Sequence, residues 1–459
     1  MEEKTVCFAC GTEYQLLIAF ILSTTVYSRN TKLLLLCKDP RLSKYYEPIK
    51  DIQLWDEVKI IDPKLPLEEL DAHCAEITPA LDILHLFTWG LLPFNRLFAV
   101  CRAKKKKIIL TDEGVGTYMP YARFNSWVSQ HDPQGTFTEG VDLKSVDEIW
   151  LLNPELYSDQ EFAPIKKIDI EEFYTAALND LTVMDKYKRL FHFLNEPEFI
   201  AEQIYFRQYY SLVGYISPEA DAFVDSHILR LLDPSHLFIK DHPAYLDHPY
   251  FKKPEGRTLE IPWEALIIYA RLANSRHIRL PRVFISASSS VMFNSNSLKA
   301  YGDFIFVHKL FELYTDYKDQ TISTLIEKCK TVFPASRFYE PPDWAEYYEL
   351  ILQIESQQKF GPPTISFNIY LNEEVNWLRE RYLVLYQDQK QLKSQLDYFY
   401  IKARDLSEQV QNSGPAVARQ QEVIQELNYE NAQYALSKSW RLTRPFRKIA
   451  RALRKNKND

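Results

Sequence analysis

The chain has 459 residues, of which 46% are hydrophobic and 25% charged, as in folded globular proteins, and its length suits about three domains. A net charge of -7 argues against a surface built as a whole for nucleic acid. Only 11 glycines occur, and neither G-x-G-x-x-G nor G-x-x-x-x-G-K-[ST] is present, so a Gly-rich pyrophosphate loop is not expected.

Short apolar segments alternate with helical ones through the first half of the chain. The segments that predict strands are KTVCFAC, KLLLLCKD, EVKIID, DILHLFT, KIILTDEG and EIWLLNP. The segment YQLLIAFILSTTVY predicts a helix between the first two. Apolar strands separated by helices are typical of a parallel sheet that is covered on both faces. The charged segment 165–200 is expected to be a helical connection to a second block.

The second block repeats this alternation. HLFIKDHP, RVFISASSS and DFIFVHKLF predict strands, while PWEALIIYARLAN and SVMFNSNSLKAYG predict helices. Two consecutive blocks predict an α/β fold in which two Rossmann-like domains, residues 1–190 and 191–365, face a cleft. In such sheets ligands bind beyond the carboxyl ends of the strands.

The C-terminal part has a different pattern. Between Leu378 and Val410 apolar residues recur with 4-3 spacing, which predicts a coiled coil within residues 366–436. This helix could pair with a second copy of the chain or pack on its own domain. Residues 437–459 carry nine Lys and Arg with interleaved Trp440 and aliphatic residues. This basic amphipathic tail favours an anionic membrane surface over nucleic acid.

The cysteines indicate free buried thiols in a reducing compartment, because most lie in apolar segments. Cys7 and Cys10 have C-x-x-C spacing but no second pair, so metal or redox chemistry is not expected there. Neither a signal peptide nor a membrane span is predicted. We therefore expect a cytoplasmic protein that associates with the inner face of the membrane through its tail.

The segment TDEG places two adjacent carboxylates, Asp112 and Glu113, directly after a predicted strand. A carboxylate at the end of a strand can accept a proton from an attacking hydroxyl, and crowding of like charges would raise one pKa. The alternative is a helix N-terminus, where acidic residues are also favoured.

Two further segments have the same position at a strand end. His242 and Pro243 follow the strand that ends near Lys240, and a histidine there could donate to a phosphate or protonate a leaving oxygen. A cluster of serines, Ser286 and Ser288–Ser290, precedes a predicted helix, where amides and hydroxyls favour an anion. An ordinary turn and simple N-capping are the respective alternatives.

Taken in this order, the acidic pair with Gly, the H-P dipeptide and the Ser cluster resemble the bacterial sialyltransferases. These include the lipooligosaccharide sialyltransferases (glycosyltransferase family 52) and the capsular polysialyltransferases. The segments GTEYQLLIA and IPWEAL resemble parts of the same enzymes, and the resemblance covers roughly residues 5–310. It implies a GT-B glycosyltransferase, the two-Rossmann-domain architecture, that moves sialic acid from CMP-sialic acid to a hydroxyl of a bacterial surface glycan such as lipooligosaccharide, O-antigen or capsule.

The resemblance also implies roles for individual residues. Glu113 corresponds to the general base, with Asp112 as its neighbour, and His242 corresponds to the histidine that assists departure of the CMP phosphate. The implied donor-binding residues are Ser288, Ser289, Ser290, Lys240, Pro243 and Glu264. The implied acceptor-side residues are Thr12, Tyr14 and Gln15.

No D-x-D follows a predicted strand and no His, Cys and Asp cluster has ligand spacing, so we expect an inverting reaction without metal or cofactor. Two alternatives remain. The fold could transfer Kdo or another CMP-activated nonulosonic acid, or it could be a non-catalytic scaffold in polysaccharide assembly. The expected partners are CMP-sialic acid, a glycan acceptor, the inner membrane surface and, through the coiled coil, a second copy of the chain; nucleic acid is not expected.

Overall fold

The computed structural model describes most of the chain up to residue 358. The described residues are 3–87, 91–118, 145–157, 163–208, 210–211, 216–230, 232, 235–241, 257–258, 261–273, 277–311, 317–358 and 402. The chain divides into two compact units, Met1–Phe360 and Gly361–Asp459. Apart from Lys402, the predicted coiled coil at 366–436 and the basic tail at 437–459 lie outside the described residues.

The first lobe, which comprises the described residues up to Leu190, contains a parallel sheet. Its described strands are β1 (Thr5–Cys10), β2 (Thr31–Cys37), β3 (Glu57–Ile61), β4 (Ile83–Leu86), β5 (Lys107–Thr111), β6 (Glu148–Leu151) and β7 (Ile165–Lys167). Their order is β3-β2-β1-β4-β5-β6-β7, with every pairing parallel. The predicted strands β1 to β6 are confirmed, while the short edge strand β7 lies in a segment that was expected to be helical.

Helices connect these strands and cover both faces of the sheet. The described helices are α1 (Glu13–Thr24), α2 (Pro40–Ser43), α3 (Tyr46–Ile52), α4 (Leu67–Ile77), α5 (Leu92–Ala103), α6 (Val115–Tyr118), α7 (Ile170–Asn179) and α8 (Leu181–Leu190). Helix α1 begins where the Thr12 side chain accepts a hydrogen bond from the Gln15 amide, a typical N-cap. Most of its residues are apolar and buried, so its sequence lacks the separate polar and apolar faces of a helix that lies on a surface.

The second lobe comprises the described residues from Phe199 to Gln358 and contains a second parallel sheet. Its described strands are β9 (Gln203–Arg207), β10 (Leu237–Asp241), β11 (Arg257–Thr258), β13 (Val283–Ser286), β14 (Asp303–Phe306) and β15 (Arg337–Tyr339); β8 (Phe199–Ile200) and β12 (Ile278–Arg279) form a separate parallel pair. The order is β11-β10-β9-β13-β14-β15. The prediction of an α/β fold with parallel sheets is therefore confirmed, but the central strand β9 was not predicted.

The described helices of the second lobe are α9 (Pro218–Leu229), α10 (Trp263–Ala273), α11 (Val291–Ser297), α12 (Tyr317–Val332) and α13 (Trp344–Gln358). A continuous cluster of buried apolar residues extends through both lobes. At their junction Tyr187 donates a hydrogen bond to the carbonyl of Ala265 at 2.8 Å, and the rings of Phe193 and Tyr269 stack at 4.3 Å. Burial of each such aromatic side chain contributes about 1.5–3 kcal/mol, so these contacts stabilise the junction between the lobes.

The thiols are placed as the sequence predicts. Cys7, Cys10, Cys37, Cys74, Cys101 and Cys329 are all free and buried. Burial raises the pKa of the Cys7 and Cys10 thiols well above the ordinary value. A thiol with a raised pKa is a poor nucleophile and a poor metal ligand, so these side chains serve the packing of the sheets.

A fully buried histidine lies at the centre of the first sheet. The two ring nitrogens of His85 form hydrogen bonds with the hydroxyls of Thr111 at 2.8 Å and Tyr27 at 2.9 Å. The ring also stacks on Phe8, with centroids 5.0 Å apart. Because burial disfavours the imidazolium, the pKa of His85 falls to about 3. The native state therefore contains a neutral His85 over the whole physiological range.

This arrangement predicts a pH dependence of stability. The pKa of His85 is lower in the folded than in the unfolded state, where it is about 6.5, so the unfolded state binds the extra proton between these values. Stability is then lost as the pH falls below about 6.5, by up to about 1.4 kcal/mol per pH unit. In His85→Gln this contribution is absent, so urea unfolding between pH 7 and pH 4 should give a shallower loss than in the wild type. Equal slopes in the two proteins would contradict the buried neutral histidine.

Candidate functional site

Each sheet reverses its strand order at one point among the described strands, between β1 and β4 in the first lobe and between β9 and β13 in the second. Parallel α/β sheets bind ligands beyond the carboxyl ends of their strands at such points. Thr12 lies just after β1, and Ser288–Ser290 follow β13. Two of the predicted segments therefore lie where the topology itself predicts a ligand.

A cavity of about 200 Å³ lies at these strand ends and is lined by both lobes. The first lobe contributes Thr12, Glu13, Tyr14, Arg41 and Glu113, and the second contributes Phe206, Arg207, Gln208, Lys240, Asp241, Pro262, Glu264, Ser289, Ser290 and Val291. Of the predicted site residues, those in the lining are Thr12, Tyr14, Glu113, Lys240, Glu264, Ser289 and Ser290. Those not in the lining are Asp112, Gln15 and Ser288, and those outside the described residues are His242 and Pro243.

Asp112 supports the site from beneath. Its side chain is fully buried and accepts hydrogen bonds from the amides of Gly114 at 2.8 Å and Leu152 at 3.0 Å. The hydroxyls of Tyr118 and Tyr14 also donate to it. Burial raises the pKa of Asp112, although these donors act in the opposite direction. A buried carboxyl so saturated with donors suits a role in fixing the backbone turn rather than in contacting a substrate.

Glu113 is the carboxylate of the acidic pair that lines the cavity. Its backbone amide donates to the hydroxyl of Thr117 at 2.9 Å, which closes the turn into α6. Its carboxylate lies directly over Gly116, since a Cβ built on that residue would come within 2.2 Å of Glu113 Oε1. The absence of a side chain at Gly116 thus leaves the space that the Glu113 carboxylate occupies.

Gly114 brings the acidic turn against the second lobe. Its φ of +103° lies in a region that residues with a side chain rarely adopt. A Cβ at this position would lie 2.5 Å from Ser290 Cβ and 2.7 Å from Ser290 Oγ. Both the backbone conformation and the approach of the other lobe therefore require glycine. This contact places the acidic segment and the Ser cluster side by side, although they are far apart in the sequence.

The three acceptor-side candidates have different surroundings. Thr12 and Tyr14 line the cavity, and the Tyr14 hydroxyl donates to Asp112 Oδ1 at 3.3 Å. Gln15 is buried, and its Oε1 accepts a hydrogen bond from the amide of Gly11 at 2.7 Å. Gln15 thus stabilises the loop after β1 from behind the lining.

The first lobe also contributes two charged residues that the sequence did not single out. Glu13 is buried, and its Oε1 accepts from the hydroxyl of Tyr45 at 2.8 Å and pairs with Lys44 Nζ at 2.6 Å. Arg41 forms a double ion pair with Asp39, which caps α2. Both are therefore fixed before any ligand enters.

Strand β10 delivers Lys240 and Asp241 to the lining. The Lys240 ammonium donates to the carbonyl of Ile261 at 3.1 Å, and burial lowers the pKa of this ammonium while nearby carboxylates oppose that shift. His242 and Pro243, the next residues in the chain, lie outside the described residues. Strand β10 thus ends in the cavity lining at Asp241, one residue before the predicted histidine.

A buried arginine fixes the end of β10. Arg207, at the end of β9, is 4% exposed and donates to Asp241 Oδ1 from Nε at 2.6 Å. It also donates to Asp225 Oδ2 at 3.3 Å. A guanidinium that bridges two carboxylates is rigid, so the ends of β9 and β10 are held in a defined register.

The Ser cluster is organised by Gln208, which follows β9 directly. Its Oε1 accepts hydrogen bonds from the Ser288 amide at 2.7 Å and the Ser288 hydroxyl at 3.2 Å. The amide of Ser289 donates to Ser286 Oγ at 3.2 Å. Helix α11 has only seven residues, so its dipole is small, and hydroxyls and loop amides are the main donors here.

Glu264 lines the second-lobe side of the cavity from the first turn of α10. It is buried and accepts a long hydrogen bond of 3.5 Å from Asn294 Nδ2. Burial raises the pKa of this carboxyl, and the nearby Lys240 acts against that rise. Within the described part of the chain, no group of three or more His, Cys, Asp or Glu side chains is arranged to bind a metal.

No family model matches the chain, and no curated protein matches it either. Among solved structures, similarity extends to Arabidopsis thaliana UGT89C1 complexed with quercetin (12% identity, TM-score 0.41, 79% of this chain and 91% of that chain). It also extends to the spinosyn rhamnosyltransferase SpnG complexed with thymidine diphosphate (10% identity, TM-score 0.40, 77% of this chain and 92% of that chain). A proposed UDP-N-acetylglucosamine 2-epimerase from Listeria monocytogenes is similar as well (11% identity, TM-score 0.38, 79% of this chain and 99% of that chain). Likeness this low identifies neither a donor nor a reaction.

Gly114→Ala should separate the acidic turn from the Ser cluster. The new Cβ would strain the backbone at φ +103° and collide with Ser290, which cannot withdraw without moving α11. We expect a loss of about 1–3 kcal/mol in the free energy of unfolding, measured by urea denaturation. The double variant Gly114→Ala with Ser290→Gly should recover part of that loss. Unchanged stability in the single variant would contradict the described contact.

Gly116→Ala should move the Glu113 carboxylate without unfolding the turn. The new Cβ meets only the flexible end of Glu113, and alanine is the better helix former in α6. We expect unchanged thermal stability but at least a tenfold lower rate of CMP release from CMP-sialic acid, the reaction that the sequence resemblance implies, because misplacing a reacting group by about 1 Å is costly. A full rate in this variant would show that the position of Glu113 is unimportant.

Proposed function

We propose that this chain is a GT-B glycosyltransferase, and specifically an inverting, metal-independent sialyltransferase that uses CMP-sialic acid and a bacterial surface glycan. One observation carries the proposal. Glu113 from the first lobe lines the same cavity as Ser289 and Ser290 from the second, with Lys240 beside them. These residues belong to the three segments that resemble the bacterial sialyltransferases.

The chemistry of that family suits the two lobes. In the proposed step Glu113 accepts the proton of the acceptor hydroxyl, whose oxygen then bonds to the anomeric carbon of the sugar. The bond from that carbon to the phosphate oxygen breaks, and its electron pair leaves with CMP. Donors on the second lobe stabilise the growing negative charge on the phosphate. Because base and leaving group lie on opposite sides of the sugar, the configuration inverts.

The size of the cavity bears on what occupies it. A volume of about 200 Å³ is smaller than the roughly 300–1,000 Å³ of pockets that enclose a whole small ligand. In the proposal it receives the phosphate and the anomeric centre, where bonds break and form. In the same proposal the nucleoside leaves the cavity on the side lined by Glu264, and the glycan enters on the side lined by Thr12 and Tyr14.

His242 is the proposed proton donor to the leaving phosphate. It directly follows Asp241, which lines the cavity and is held by Arg207. A neutral or protonated imidazole at this point could donate to the phosphate oxygen as the sugar departs. Pro243 is proposed to take part in donor binding next to the histidine, with a backbone φ that its ring restricts.

The location of the protein forms a separate proposal. Among the described residues no helix has both the length and the hydropathy to cross a membrane. The basic segment 437–459 is proposed to bind the anionic inner surface of the membrane, where a lipid-linked or growing glycan would be at hand. The segment 366–436 is proposed to form the coiled coil, either within the chain or with a second copy.

The test is CMP release from CMP-sialic acid by the purified full chain with EDTA present. Wild type should turn over, and Glu113→Gln and His242→Ala should each lose at least 100-fold, as expected for groups that transfer protons. Glu69→Gln, the same change at an exposed residue outside the cavity lining, should keep the full rate.

The other outcomes discriminate among the alternatives. Turnover that is insensitive to both variants would leave the donor but refute the assigned residues. Turnover with CMP-Kdo alone would identify a transferase for a different sugar acid. Absence of turnover with every CMP-sugar, with or without glycans, would refute the enzyme and favour a scaffold.

A further inference from the structure

Gln208 lies at the carboxyl end of β9, the central strand of the second sheet. It lines the cavity together with Lys240, Ser289 and Ser290. Strand β9 pairs with both β10 and β13, so a residue just beyond its end lies between the segment that leads to His242 and the Ser cluster. No motif in the sequence marks this position.

The orientation of the Gln208 amide is determined by its partners. The backbone N–H of Ser288, 2.7 Å away, can only donate, so the atom that faces it must be the oxygen Oε1. The hydroxyls of Ser288, at 3.2 Å, and Tyr210, at 3.4 Å, also donate hydrogen bonds to this Oε1. The side chain is therefore not free to turn its oxygen toward the cavity.

The fixed orientation of the Gln208 amide limits what it can offer to a bound molecule. With Oε1 committed to Ser288, the amide has only the two N–H bonds of Nε2 to offer a bound molecule. Close by, Lys240 carries an ammonium and Ser289 and Ser290 carry hydroxyls, which also donate. Three carboxyl groups interact with Lys240: Asp241 is paired with Arg207, Glu13 is paired with Lys44, and burial raises the pKa of Glu264. This part of the lining thus favours an anionic oxygen over a group that donates.

We propose that Gln208 is a binding residue for the donor phosphate, which it contacts through Nε2 while Oε1 fixes the Ser288 loop. The inference rests on the proposed function, because it assigns the phosphate of the CMP-sugar to this part of the cavity. Gln208 therefore acts in two directions: it shapes the Ser cluster and supplies a donor to the same anion. A hydrogen bond to a charged group of this kind contributes a tenfold or larger factor in affinity.

Gln208→Glu separates the two actions. Glutamate has the same shape and keeps an oxygen that can accept from the Ser288 amide, but it replaces the N–H donors with a negatively charged oxygen. The probes are CMP and cytidine, which differ only in the phosphate, with binding to the full chain measured by calorimetry. Gln53→Glu is the matched control, because it makes the same change at an exposed residue outside the lining.

The expected result is at least a tenfold weaker affinity of Gln208→Glu for CMP, with cytidine binding and melting temperature unchanged and Gln53→Glu like the wild type. Equal affinity for CMP in Gln208→Glu and the wild type would overturn the inference. Equal weakening of CMP and cytidine would also overturn it, because that pattern reports a distorted loop. Failure of the wild type to bind CMP at all would instead refute the proposed function, and the inference with it.

Discussion

The contact between Gly114 and Ser290 is the constraint on which the rest of the site depends. A side chain at residue 114 would come within 2.5 Å of Ser290, so the acidic turn and the Ser cluster can adjoin only because that residue is glycine. The buried Asp112 accepts a hydrogen bond from the Gly114 amide, which holds the turn, and another from the Leu152 amide, which joins the turn to the end of β6. The space above Gly116 then receives the carboxylate of Glu113. Of these three consecutive residues, Asp112 supports the turn, Gly114 makes the contact with Ser290, and Glu113 lines the cavity as the proposed general base.

The second lobe is organised in a comparable way by two residues at the end of one strand. Arg207 pairs with Asp241 and so positions the chain before His242, while Gln208 accepts from Ser288 and positions the Ser cluster. Both segments that are proposed to receive the phosphate therefore depend on β9. Since β9 lies between β10 and β13, we expect a substitution at its end to move both the segment after β10 and the Ser cluster after β13.

Much of this could be predicted from the sequence, because buried parallel strands such as KLLLLC have an unmistakable apolar pattern. The segments after β5 and β13 were located correctly for the same reason. Strand β9 was missed because QIYFR contains two polar residues, Gln203 and Arg207, that are buried. The partner that allows Arg207 to be buried, Asp241, lies 34 residues further along the chain. Asp112 and Glu113 are similar carboxylates in the sequence, and only burial distinguishes Asp112, which supports the turn, from Glu113, which lines the cavity. The importance of Gln208 could not be predicted, since no motif includes it and its partner Ser288 lies 80 residues away in the sequence.

The most direct test of this account is a crystal structure of the full chain with CMP bound. We expect the phosphate to lie between Gln208 and the hydroxyls of Ser289 and Ser290, with the Glu113 carboxylate across the cavity and open space for a sugar between them. A nucleotide bound elsewhere on the chain, or a phosphate in contact with Glu113 rather than with the second lobe, would contradict it.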